Sequence, residues 1–149
     1  MSRDGNPWLV VGGWLSLAAS LLHIGCIIGG PAWYRFFGAG EGMARAAERG
    51  EIYPALITFG IAAILAIWAA YAFAGAGVIR RLPLMRTALV MISAIYMLRG
   101  LALVPIAFNP AAHTPFNLWS SLIVLAYGVA YAVGTWRAWP KLSRTERYA

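Results

Sequence analysis

Four long apolar blocks, separated by short polar punctuation, dominate the chain. They predict helices over residues 8–28, 53–73, 83–106 and 116–136, each near the roughly 20 residues that cross a hydrocarbon core. Wound at the α-helical period from His23, the first block places Gly12, Ser16, Ala19, Ser20, Cys26, Ile27 and Gly30 on one face. Val10, Trp14, Leu17, Leu21 and Ile28 fall on the other. A small, polar stripe opposite a bulky one is how a membrane helix separates its helix-facing side from its lipid side. His23 is therefore expected to point inward. In the second block Pro54 suits the first turn, Ala62, Ala66, Ala69, Ala70 and Ala74 permit close helix approach, and Gly75 and Gly77 end the run. The Asn117 face of the fourth block carries Ser120, Ser121, Gly128, Tyr131, Ala132 and Thr135.

The connections sharpen this picture. Residues 29–51 form the longest one. Its Trp33, Tyr34, Phe36 and Phe37 suit an interfacial aromatic belt, and Glu41 to Arg49 suits a short surface helix with Glu41 and Arg45 as an i,i+4 pair. The first apolar run exceeds the 7–15 residues of a signal-peptide core, so it is expected to stay as a span. The fold class that follows is an all-α integral membrane protein. It is a four-transmembrane-helix bundle, residues 1–149 as one domain, with a longer first extracytoplasmic loop that contains a short surface helix.

Composition agrees: 61% of the residues are hydrophobic and 11% charged, against about 25% charged in soluble domains. Eleven of the twelve basic residues are Arg, and Ala and Gly are abundant, which indicates a GC-rich bacterial genome. The net charge of +7 would suit nucleic acid, but the basic residues sit at helix ends, which is the positive-inside pattern. Arg3, Arg80, Arg81, Arg86, Arg137, Lys141, Arg144 and Arg147 fall on one side, and Arg35, Arg45 and Arg49 on the other. This predicts a bacterial inner-membrane protein with both termini cytoplasmic and the first long connection periplasmic. The single Cys26 excludes an intramolecular disulfide and a cysteine-based metal cluster.

Candidate chemistry centres on Arg99, a charge inside an apolar span. Placing a guanidinium at such depth costs at least ~2.5 kcal/mol, so it is expected to face a partner, water or the bundle interior. His23 and Arg99 each lie seven or eight residues from the outer ends of their spans, roughly 10 Å into the membrane. Tyr96 shares the Arg99 face, Thr58 and Tyr53 enter from the second span, and Asn117 and Ser120 from the fourth. Glu41, Glu48 and Glu51 lie on the connection above. The expected ligand-binding set is Arg99, His23, Tyr96, Asn117, Ser120 and Glu51. Arg99 would hold a negative group bidentately, His23 would gate or exchange a proton, and Asn117 and Tyr96 would orient. Set against this is a structural reading in which Arg99 simply pairs with a loop carboxylate, Glu51 first.

The expected function is a periplasm-facing polar pocket for a small anionic or amphipathic ligand, in a carrier or accessory subunit. Two readings stand beside it: a structural or assembly subunit, and a membrane enzyme in which His23 and a loop Glu act on a lipid-like substrate. The partners are the bilayer, a small anionic or lipid-like ligand, and a homo-oligomer or larger membrane complex; nucleic acid is not among them. No catalytic residue or cofactor is assigned. His23, His113 and a loop Glu could supply three metal ligands, but no close His-x-x-His or Cys motif supports a metal site. Small dimeric multidrug exporters are similar in size, yet they carry a membrane-buried Glu in the first helix where this chain has His23, so no family is matched by motif.

Overall fold

The structure is a computed structural model that describes residues 5–109 and 114–143. Among these residues it is all-helical: α1 (Pro7–Phe36), α2 (Glu41–Glu48), α3 (Tyr53–Gly75), α4 (Met85–Leu101), α5 (Leu103–Phe108) and α6 (Pro115–Ser143). Four helices are long and apolar enough to cross a membrane: Pro7–Phe36, Tyr53–Gly75, Met85–Phe108 and Pro115–Leu142. The protein is therefore a helical, multi-pass membrane protein.

Local chemistry sets the helix ends. Asn6 caps α1: its side-chain oxygen accepts from the Leu9 N–H at 3.4 Å, and Pro7, whose missing N–H costs nothing there, is the first helical residue. Thr114 does the same for α6 through the Asn117 N–H at 3.1 Å, followed by Pro115. Within α1, Gly30 has φ 65° and ψ −149° and is followed by Pro31. No atom lies within 4 Å of where a Cβ would be, so glycine is required there by backbone conformation and not by space. The first helical segment thus stops at Gly29, near the predicted end, and a second, short one runs on from Pro31 to Phe36.

Two boundaries and one helix face differ from expectation. The predicted third span is split at Ala102 into α4 and α5. Pro105 has no N–H to offer the Leu101 carbonyl, and its ring clashes with that carbonyl, so a continuous helix is disfavoured there. The fourth helix runs to Ser143, well past Trp136, and contains Pro140. In the second span the buried stripe is Pro54, Thr58, Ala62, Leu65, Ala69 and Ala72, while Ala66 lies on its flank and is exposed.

The chain resolves into two compact units, residues 1–15 with 68–149 and residues 16–67. In the first, α4 and α6 pack antiparallel along small residues. Ser93 Oγ lies 3.4 Å from Thr135 Oγ1, and Gly128 and Gly100 meet the Met97 and Leu125 backbones, respectively. Without a hydrophobic drive between helices in lipid, such close backbone approach supplies the attraction. Tyr96, Trp68, Tyr127 and Tyr131 form an aromatic cluster with ring centroids 4.9–5.5 Å apart from Tyr96. Tyr131 is fully buried, and its hydroxyl donates to the Trp68 carbonyl at 3.1 Å.

In the second unit, Ser20 Oγ donates to the Ala62 carbonyl at 2.8 Å, joining the α1 and α3 segments. Cys26, Tyr34 and Ala44 form a small core with Phe37 and Ala47 packed against it. Charge fastens α2. Arg35 donates to both oxygens of Glu41 at 2.9 Å and to Glu48 at 2.7 Å, and Arg45 donates to Glu41 at 3.0 Å. Glu41, Arg45 and Glu48 share one face of α2 because they lie four and three residues apart.

Two outcomes follow. A Cβ at Gly100 would stand 2.5 Å from the Leu125 Cα, which is backbone and cannot swing aside. Gly100→Ala should cost about 2–3 kcal/mol in reversible unfolding followed by circular dichroism in micelles. Gly60→Ala, with open space around it, should cost nothing. The Arg35 and Arg45 hydrogen bonds hold the Glu41 carboxyl down to about 2, from an ordinary 4.5. A folded value below the unfolded one means the anchoring is fully present above pH 4.5 and is lost as pH falls toward 2. A spin label on Gly42→Cys, in a Cys26→Ser background, should gain mobility across that window, and Glu41→Gln should flatten the transition.

Candidate functional site

Arg99 lies in the last turn of α4, three residues before the break at Ala102 that Pro105 imposes. Its terminal nitrogen donates to Ser121 Oγ on α6 at 2.9 Å. Ser121 is completely buried, whereas the Arg99 side chain retains an exposed surface. Among the described residues Arg99 has no carboxylate partner. The reason lies in the distribution of acids. The described carboxylates are Glu41, Glu48 and Glu51, all in the other unit, and each accepts from an arginine of that unit.

Local forces explain how the guanidinium can stay there. A hydrogen bond from a charged donor contributes about 1.5–3 kcal/mol, and the carbonyls at a helix C-terminus favour a nearby cation by about 0.3–1 kcal/mol. Together they are comparable to the ~2.5 kcal/mol insertion cost. They hold the side chain in place but leave its charge unneutralised.

The other expected residues are placed as follows. Tyr96 is buried, its ring enclosed by Trp68, Tyr127 and Tyr131, so its main work is packing. Asn117 lies one turn before Ser121 on the same face of α6 and is partly buried. Ser120 donates to the Asn117 carbonyl at 3.2 Å. Arg99, Ser121, Asn117 and Ser120 thus all belong to the first unit. His23 belongs to the second, where its Nδ1 lies 2.7 Å from the Ala19 carbonyl. That contact fits an Nδ1–H donor, which leaves Nε2 as the acceptor in the neutral ring. Glu51 is also in the second unit and accepts from Arg49 Nε at 2.5 Å. Arg99 thus pairs with Ser121 and Glu51 with Arg49, each within its own unit. Thr58 Oγ1 donates within its own helix to the Pro54 carbonyl at 2.7 Å.

Ser121 is the residue that side-chain chemistry alone passed over. The signal for it was its spacing, four residues from Asn117 and seven from Gly128, which sets it on the helix-facing side. His113 lies outside the described residues. Among those described, no three His, Cys, Asp or Glu side chains come together to hold a metal. A shallow hollow of about 430 Å³ is lined by Ala32, Trp33, Phe36 and Phe37. It presents aromatic and aliphatic side chains, which suit acyl chains and not an anion. Comparison with protein-family models, with curated proteins and with solved structures finds no match for this chain.

Proposed function

We propose that the protein binds a small anionic or amphipathic ligand at Arg99, in the extracytoplasmic half of the bundle, as a carrier or an accessory subunit. One observation carries this reading: the guanidinium is tethered by a buried hydroxyl instead of a carboxylate, in a unit whose described residues include no acid. A tethered, unneutralised arginine presents planar N–H donors that match carboxylate or phosphate bidentately. Ser121 fixes its direction, and Asn117, one turn away on the same helix face, supplies an amide for a second contact.

The position of Arg99 in the last turn of α4 supports a second reading, in which the charge only complements the helix end in a structural or assembly subunit. The two readings part on ligand response. With inorganic phosphate, glycerol 3-phosphate, short dicarboxylates and lysophospholipids as probes, at least one should raise the melting temperature of the purified protein. Arg99→Gln should weaken that ligand at least about tenfold, or ~1.4 kcal/mol, Arg99→Lys should keep part of the effect, and Ser121→Ala should weaken it less. Equal stabilisation of wild type and Arg99→Gln would eliminate the binding site and leave the structural reading.

A further inference from the structure

The net charge of the chain is unevenly held. Residues 16–67 contain Arg35, Arg45 and Arg49 against Glu41, Glu48 and Glu51, and so are neutral. The whole +7 belongs to the other unit, whose sequence carries nine Arg and Lys against Asp4 and Glu146. Five of those cations, Arg80, Arg81, Arg86, Arg137 and Lys141, occur where α1 begins, α6 ends and the α3–α4 connection turns. Hydrogen bonds within this unit tie these segments together. Asn6 donates to the Gly134 carbonyl at 2.5 Å, Arg81 donates to the Lys141 carbonyl at 2.8 Å, and Tyr71 donates to the Pro83 carbonyl at 3.1 Å.

Aromatic rings order the cations. The Arg86 guanidinium lies 4.2 Å from the Trp139 ring centroid, and that of Arg137 lies 5.8 Å from Trp8. Stacking engages the face of a guanidinium, whereas phosphate is recognised by its in-plane N–H edge. Around the cations, Val78, Ile79, Leu84 and Trp136 are exposed. Leu84 holds a left-handed φ of 53° at the start of α4 while 76% exposed. A cationic ring carrying indoles, bordered by exposed aliphatic side chains at the ends of spanning helices, has the profile of a phospholipid: anionic phosphodiester outside, acyl chain beneath.

We propose that this end of the unit is a docking surface for anionic phospholipid headgroups. It stands apart from the Arg99 reading, because it uses different residues and survives if Arg99 binds nothing.

The test uses the full chain in micelles and in nanodiscs of phosphatidylcholine alone or mixed equally with phosphatidylglycerol. Wild type should retain phosphatidylglycerol or cardiolipin adducts in native mass spectrometry and melt higher in the anionic discs. The increment should shrink as salt rises, because the interaction is screened within a Debye length. Arg80→Gln with Lys141→Gln, chosen because their side chains make no contact described above, should lower anionic-lipid affinity about fivefold per cation removed. Arg86→Gln with Arg137→Gln should lower it at least as far, and Arg99→Gln should leave it intact. Inorganic phosphate should not reproduce the increment. Retention of the full increment by both double variants, or its reproduction by free phosphate, would overturn the proposal.

Discussion

The close contact of α4 and α6 is the constraint on which the functional geometry depends. In water two apolar helices would be driven together; in lipid they must be held by backbone proximity and by hydrogen bonds across the interface. Gly100 against Leu125, Gly128 against Met97 and Ser93 beside Thr135 provide both. Arg99 is the neighbour of Gly100, so the glycine that allows the approach also brings the guanidinium within reach of Ser121. A wider helix spacing would leave the charge with no tether. The same contact runs toward the end of α6, where Arg137, Trp139 and Lys141 are presented.

Charge is divided with equal economy. The second unit closes its ion pairs internally: Arg35 bridges Glu41 and Glu48, and Arg49 pairs with Glu51. These pairs are exposed and individually weak in water, yet they are linked, and Arg35 binds two points on one face of α2. They give a short helix, which could not persist alone, a fixed seat with its Ala44 packed against Cys26 and Tyr34. In the first unit the described cations meet carbonyls, a hydroxyl and indole rings: Arg81 the Lys141 carbonyl, Arg99 Ser121, Arg86 Trp139 and Arg137 Trp8. Lipid phosphate and small anions are the partners such residues suit.

Much of this was legible in the residue pattern, because hydrophobic period and cap chemistry are local. The division of α1 is visible in it: Gly12, Ser16, Ser20 and Cys26 are buried while Trp14, Leu21 and Ile28 are exposed. The apolar run of α3, with Pro54 in its first turn, was equally readable. What escaped depended on competition between partners. Pro105 sits in an apolar run that hydropathy reads as continuous, so the break at Ala102 is invisible unless the lost Leu101 hydrogen bond is counted. Trp136 and Arg137 look like a helix end, but Ala138 and Leu142 are buried and draw α6 onward through Pro140. Glu51 accepts from Arg49, two residues away, a local pairing not counted in the one reading that sets Glu51 beside Arg99. Ser121 escaped because a serine in a membrane helix reads as packing until a charged donor is known to face it.

Arg35 offers a standard within the same chain for what a structural arginine looks like. It spends its donors on both oxygens of one carboxylate and on a second carboxylate, so that its charge is balanced and its geometry saturated. Arg99 differs on both counts, having one hydroxyl, no described carboxylate and an exposed remainder. If fixing two helices were the whole task, a neutral donor would hold Ser121 at far lower insertion cost. On the proposed reading, that charge meets something negative that comes and goes. The described carboxylates are each held by another arginine.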